Sequence, residues 1–172
     1  MERNFREKLN RIKPIKLNCI CFRALHKDYT DPLNTDGNLK VFGRWHIKGS
    51  FRALYTSESR KTCIEELKRK VEDSEIIESF RIHALEIDVT KILDLSKEEN
   101  LRILKLEKID ILYGSIENPE DIIVPNTLAK CVYELGFEGI LVDSVTNIGK
   151  NIIIFPQNLK IKSFIKKLID II

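Results

Sequence analysis

The sequence predicts a single α+β domain in which mixed β-sheets carry flanking helices. Three observations lead there. Short apolar runs that suit buried strands, at residues 17–25, 53–56, 80–89, 140–142 and 152–155, are interleaved with stretches whose apolar residues recur at helical spacing. The chain, at 172 residues, has the length of one ordinary domain and buries roughly 70% of its unfolded surface. No repeat, low-complexity tract or linker divides it.

Residues 1–16 carry Arg3, Arg6, Lys8, Arg11, Lys13 and Lys16, with Phe5, Leu9 and Ile12 at helical spacing and Pro14 as a stop; they predict a basic amphipathic helix capping the body. A strand over 17–25 follows, then a polar loop at 28–38 long enough to be functional. After Gly43-Arg44-Trp45 comes a short strand at 53–56. Ser59 is placed to cap a helix whose apolar stripe is Cys63, Ile64, Leu67 and Val71. A strand spans 80–89. Ser96 to Glu99 has the spacing of a capping box, with Leu101, Leu104 and Leu106 after it. Gly114, Pro119 and Pro125 predict an irregular stretch over 114–126, and a helix over 127–135 ends at Gly136. Two strands, 140–142 and 152–155, flank a polar segment at 143–150. Ile161, Phe164, Ile165, Leu168, Ile169 and Ile172 predict a C-terminal amphipathic helix within 157–172, packed on the same domain.

A composition of 43% hydrophobic and 32% charged residues excludes a disordered chain and a membrane-embedded one. Apolar runs such as 152–155 fall far short of the roughly 20 residues that a spanning helix needs. No charged start leads into an apolar core and small-residue cleavage site, so no secretory signal is expected. With 29 basic and 26 acidic residues the formal charge is +3, too balanced to argue for direct nucleic-acid binding. Cys19, Cys21, Cys63 and Cys131 form no C-x-x-C pair, and the three histidines are scattered. They predict small core side chains in a reducing cytoplasm, with no metal site.

The Gly-rich phosphate loops, the G-x-S-x-G elbow and the zincin helix are missing. Polar side chains adjoin apolar strands at Arg23, Arg44, Tyr55 and Ser144. Arg23 amid apolar residues needs a buried anion, either an internal partner or a ligand. Gly43-Arg44-Trp45 joins a fork-shaped cation to a flat ring, which suits a phosphate beside a planar group. Tyr55 is open to a core role with its hydroxyl satisfied. On a helix turning about 100° per residue, Glu66 lies roughly 115° from the centre of the apolar stripe and Glu65 roughly 145°. A pocket therefore reaches Glu66 first, unless both are solvated.

In order, Cys21-Phe22-Arg23, Asp31-Pro32-Leu33, Gly43-Arg44-Trp45, Ala53 to Ser57, Glu66, Ile92-Leu93-Asp94-Leu95, Gly136 to Ser144 and Asn151 to Phe155 resemble the motifs of the RES-domain family. The resemblance covers residues 17–156. Asp143 stands where the family usually has proline, and His46 where asparagine is frequent. The resemblance implies an ADP-ribosyltransferase-like fold and a toxin of a bacterial type II toxin–antitoxin module. Such a toxin degrades NAD+ at the nicotinamide–ribose bond by phosphorolysis or hydrolysis. NAD+ is then substrate rather than cofactor, with inorganic phosphate as a potential co-substrate. Matching positions imply catalytic Glu66, Tyr55 and Arg44, and NAD+ or phosphate binding by Arg23, Arg44, Tyr55 and Ser144. The implied partner is an Xre-like helix-turn-helix antitoxin. The terminal helix could also contact a second copy of the chain, giving a toxin dimer within the complex. The alternatives are transfer of ADP-ribose to a protein, and a non-catalytic basic module that binds nucleic acid or an acidic partner.

Overall fold

Two long strands organise the chain. In the computed structural model, which describes residues 1–71 and 74–168, β1 (Ile15–His26) pairs antiparallel with β3 (Phe80–Asp94) along almost its whole length, from Ile15↔Ile92 to His26↔Phe80. Around them lie β2 (Leu54–Ser57), β4 (Gly139–Asp143), β5 (Lys150–Ile154) and β6 (Phe164–Lys167). The helices are α1 (Glu2–Leu9), α2 (Arg60–Lys70), α3 (Ser74–Ile77), α4 (Glu98–Leu104), α5 (Lys108–Leu112) and α6 (Pro119–Glu134).

The pairing runs β1-β2-β5-β4-β3 and returns from β3 to β1, so five strands form a ring, closed between β1 and β2 by Phe22↔Ser57. β3 and β4 run parallel, and the remaining pairs are antiparallel. Closure buries both faces of the strands, which is why β4 and β5 read as continuous apolar runs. In β5, Ile152 and Ile154 join a core with Cys21, Leu85 and Ile87, while Ile153 faces a second core with Leu9, Leu93, Leu128 and Val132 under α1, α4, α5 and α6. All four cysteines are free thiols, and burial pushes those of Cys21 and Cys63 up to about 11, as expected of core side chains.

The outer edge of β3 changes partner. Residues 85–88 pair with β6 and residues 92–94 with β4. Between them the register on β1 slips, Leu17 facing Val89 and Ile15 facing Ile92, which marks a bulge. Among the described residues no strand pairs with Thr90 and Lys91 on this edge; the fully buried Glu138 serves them. One carboxylate oxygen accepts from the Thr90 amide (2.7 Å), the Thr90 hydroxyl (2.9 Å) and the Lys91 amide (2.8 Å), and the other accepts from the Lys160 amide (3.0 Å). Burial alone would raise the Glu138 pKa, but these hydrogen bonds outweigh it and hold the carboxyl below its ordinary value.

Several expectations need correction. The N-terminal helix spans only Glu2–Leu9, although Phe5, Leu9 and Ile12 are all buried as the stripe requires. The C-terminal segment is not a helix in its described part. Phe164–Lys167 is a strand, Ile165 packs into the inner core, and Ile161 is fully exposed. The open edge of β3 offers backbone partners to this β-branched, aromatic stretch, and that pairing outweighs its helical spacing. Ile169 and Ile172 lie outside the described residues. No capping box forms at Ser96, whose hydroxyl donates to Asp94 (2.6 Å) while Lys97 occupies the cap position. Finally, α6 begins at Pro119, inside the stretch expected to be irregular. Proline suits a first helical turn, and the buried packing of Ile122 and Pro125 carries the helix through the second one.

Replacing Glu138 with Gln should test the bulge. The amide nitrogen can only donate, so it faces donors whichever way it turns, and stability should fall by about 2–4 kcal/mol. Urea unfolding midpoints at constant m-value measure this, and a loss below about 1 kcal/mol would show that the carboxylate is dispensable.

Candidate active site

A cavity of about 810 Å³ opens where α2, β2, β4 and β5 meet the Gly43-Arg44-Trp45 segment and the turn after α5. Arg44, Tyr55 and Glu66 line it, joined by His46, Arg69, Lys70, Asp143 and Asn151.

Glu66 reaches the cavity because of how α2 is anchored. Ser59 caps the helix, accepting from the Thr62 amide (3.0 Å), and Thr62, Cys63 and Leu67 are buried. That phase turns Glu66 to the cavity and leaves Glu65 to pair with Lys68 (2.9 Å). One oxygen of Glu66, Oε1, accepts from Ser144 Oγ (2.7 Å) and from Asn151 Nδ2 (2.6 Å). Asn151 is oriented in turn by Ser57, whose hydroxyl donates to Oδ1 (2.8 Å) across the β2–β5 pair. Ser144 has only one proton and gives it to Glu66, so Thr146 Oγ1, at 2.6 Å, must donate to Ser144. Among the described residues no group donates to the second oxygen of Glu66, Oε2.

Tyr55 is fixed at both ends. Its ring packs against the helix-covered core, and its hydroxyl accepts from the Trp45 amide (3.0 Å) and meets His46 Nδ1 (2.9 Å). His46 Nε2 faces the Val41 carbonyl (3.1 Å), which can only accept. The proton therefore sits on Nε2, and the Tyr55 hydroxyl donates to Nδ1. Burial lowers the His46 pKa and raises that of Tyr55, so both stay neutral near pH 7. Gly43 makes room for this contact, because a Cβ there would overlap the His46 ring and stand 2.8 Å from the Tyr55 hydroxyl.

Arg44 donates to the carbonyls of Tyr113 (2.8 Å) and Gly114 (2.7 Å), bracing the turn that forms the opposite wall. Asn126 on α6 holds the other side of this segment, donating to the Gly43 and Arg44 carbonyls (2.7 and 2.8 Å). Part of the Arg44 fork is thus committed, and its remaining N–H groups are what a ligand would meet. Arg23 is not in the cavity wall. It donates to the Pro32 carbonyl (2.6 Å), and burial, partly offset by Asp31, lowers its pKa. The structure therefore brings together Arg44, Tyr55, Glu66 and Ser144, with Ser144 behind Glu66, and leaves Arg23 apart. Asp143, in the position where proline is usual, receives Lys108 Nζ (2.6 Å) at the cavity wall. Among the described residues no group of three His, Cys, Asp or Glu side chains could hold a metal ion, and no helix is long and apolar enough to cross a membrane.

Residues 20–167 match the RES domain. The chain belongs to the RES domain family. The NAD(+) phosphorylases MbcT of Mycobacterium tuberculosis and Mycobacterium bovis are each 23% identical to it over 145 residues, 81% of this chain and 73% of theirs. The crystal structure of the M. tuberculosis MbcT–MbcA toxin–antitoxin complex contains a chain of similar fold. Its TM-score is 0.77 at 20% identity, with 96% of this chain and 92% of that one covered. The matched span runs beyond residue 156 and takes in β6 as part of the RES domain.

Asn151, His46 and Arg69 were not singled out as site residues in the sequence. Asn151 carried a local signal, since a polar residue opening the apolar run 152–155 sits at the strand end nearest the polar segment. Arg69 carried a weaker one, its helical spacing from Glu66.

The His46–Tyr55 contact gives a pH-dependent expectation. Because the folded pKa lies below the ordinary 6.5, this contribution to stability is complete above pH 6.5. It is lost as the pH falls, since the unfolded chain then binds a proton that folded His46 refuses. Between about pH 5 and 7 the His46→Asn variant should show a flatter dependence of urea midpoint on pH than the wild type; parallel curves would contradict the neutral assignment. Tyr55→Phe leaves the Trp45 amide and His46 Nδ1 unpartnered and should cost about 1–3 kcal/mol.

Proposed function

We propose that this RES domain is an NAD+-degrading toxin, an NAD+ phosphorylase acting at the nicotinamide–ribose bond, with an ADP-ribosyltransferase-like fold. Glu66 carries the reading: a carboxylate held by two donors on one oxygen, with no donor to the other among the described residues, in the wall of a cavity large enough for a dinucleotide. The MbcT relatives are NAD(+) phosphorylases, which favours phosphorolysis over hydrolysis or transfer to a protein.

The nicotinamide of NAD+ is already cationic, so it departs with the bonding electron pair and needs no proton. Positive charge develops on the ribose, and a phosphate oxygen then bonds to the same carbon, giving nicotinamide and ADP-ribose 1″-phosphate. Glu66 is suited to the ribose hydroxyls and the developing charge, as a carboxylate is in glycosidases. Ser144 and Asn151 act through Glu66 by fixing its rotamer. Tyr55, its hydroxyl engaged with Trp45 and His46, offers a ring face rather than a free donor. Arg44 serves as wall and partial anion donor. Arg23, outside the cavity, is better read as a brace for the loop at Pro32.

An enzyme that consumes NAD+ must be silenced in its host, and the likeness to the toxin of the MbcT–MbcA complex supports an antitoxin partner. We take it to be the Xre-like protein that the family implies. Phe42 and Ile116, both on the cavity wall and about half exposed, offer that partner an apolar rim.

Pure protein should convert NAD+ to nicotinamide faster with inorganic phosphate than without it, read by product chromatography. Unchanged NAD+ with folded protein would defeat the proposal. Glu66→Gln keeps an acceptor for Ser144 and Asn151 but removes the charge, so kcat should fall on the order of 10²–10⁴-fold with KM little altered. Glu65→Gln should stay within about twofold of wild type, and equal losses at both would contradict the assignment.

A further inference from the structure

With Arg23 outside the cavity, the phosphates of the proposed reaction need other cations, and the wall supplies Arg44, Arg69 and Lys70. Arg69 and Lys70 lie in the last turn of α2. They follow Glu66 by three and four positions, which puts all three on one helical face with Cβ atoms about 5–6 Å apart. Lys68, between Glu66 and Arg69, instead pairs with Glu65 (2.9 Å). Among the described residues neither Arg69 nor Lys70 has a carboxylate within ion-pair distance; of the three acids that line the cavity, Glu117 pairs with no described cation and the other two are engaged elsewhere. Asp143 receives Lys108, and Glu66 is held by Ser144 and Asn151. Arg44 and Arg69 also repel each other: burial first, and the Arg69 charge next, draw the Arg44 pKa down.

Asp121 and Glu66 offset part of that repulsion at Arg44, but Arg69 and Lys70 keep no carboxylate in ion-pair contact, and a bound oxyanion would meet them with charge-assisted hydrogen bonds. Basic residues in a last turn also complement the helix dipole, but that role is indifferent to the face they occupy and contributes to stability rather than affinity.

We infer that Arg69 and Lys70, with Arg44 beside them, form a phosphoryl-binding subsite one helical turn from Glu66. The inference rests on the NAD+-cleaving reading and adds where the phosphoryl oxygens sit. Two sources present the same chemistry: the inorganic phosphate that attacks the ribose, and the pyrophosphate of the dinucleotide.

The test compares Arg69→Gln/Lys70→Gln with Lys68→Gln, a control outside the cavity. Calorimetric titration of the full chain with inorganic phosphate and with pyrophosphate reads binding without turnover. The wild type and Lys68→Gln should bind at least one of them, and the double variant should bind about tenfold or more weakly at unchanged melting temperature. Steady-state kinetics then assign the source. A raised KM for phosphate at constant KM for NAD+ marks inorganic phosphate, and a raised KM for NAD+ alone marks the pyrophosphate. No binding by the wild type, equal affinity in the double variant, or both KM values unchanged in an active double variant would overturn the subsite. A wild type that binds through Arg69 and Lys70 yet leaves NAD+ intact would overturn the phosphorylase reading and leave the subsite standing.

Discussion

Everything about this fold follows from β3 having to serve two partners on one edge. Along 85–88 that edge belongs to β6, and along 92–94 to β4, whose parallel pairing feeds the ring through β5 and β2 back to β1. A strand cannot pass from one partner to the next without leaving amides unserved, and a buried unserved amide costs free energy comparable to a lost hydrogen bond. The Glu138 carboxylate fills that gap, taking the Thr90 and Lys91 amides on one oxygen and the Lys160 amide on the other. It therefore ties the bulge of β3 to the chain that leads into β6. The residue after it, Gly139, opens β4 at a point where a Cβ would overlap the Ile153 carbonyl of β5. Ring closure thus passes through two adjacent residues that admit little change.

The cavity is a consequence of that ring. β2, β4 and β5 lie side by side, so Ser57, Asn151 and Val142 stand in one row, and the Asn151 amide lies where α2, crossing above, presents Glu66. Ser144 arrives from the turn that follows β4. Ser144 and Asn151, from the β4–β5 unit, meet on one oxygen of a carboxylate carried by the distant α2, and each is fixed by hydrogen bonds that do not involve a ligand. The site is organised before anything binds, which is the condition for an electrostatic contribution that needs no rearrangement during reaction.

What could be read from the sequence, and what could not, divides along physical lines. Local periodicity placed Glu66 toward the buried side of α2 and Glu65 away from it, because the apolar stripe sets the phase of a helix whatever it packs on. Likewise the apolar runs of β4 and β5 announced strands buried on both faces. β6 was misread because its apolar spacing fits a helix, and only the vacancy along β3 decides otherwise; a vacancy on another strand has no local signature. The partner of Arg23 could not be read for a related reason. An arginine in an apolar strand requires a partner, but sequence cannot distinguish a ligand from the Pro32 carbonyl that receives it. Asn151, His46 and Asn126 were not assigned to the site because each acts through a tertiary contact that no local pattern marks, and their residue types are common in loops and strand ends. Pro125 argued for irregular chain, and the helix holds it because the buried face of α6 makes up for one lost backbone bond.

The groups around the cavity differ in how firmly they are held, and the difference sorts their roles. Ser144, Asn151, Tyr55 and one oxygen of Glu66 are held by hydrogen bonds within the protein, so truncating any of these side chains leaves an orphaned donor or acceptor. Phe42, Ile116, Arg69 and Lys70 are exposed and belong to the rim. A substitution there changes what the cavity meets without leaving a buried group unpaired, and surface changes of that kind usually shift stability by no more than about 0.5 kcal/mol. Ligand preference and partner preference can therefore vary at the rim while the chemistry of the wall stays constant. The same rim must serve both, since a protein that covers the cavity touches the residues that select its ligand. Any change that loosens the grip of a partner is then free to alter substrate affinity as well, and the two properties are physically coupled at Phe42, Ile116, Arg69 and Lys70 rather than at Glu66.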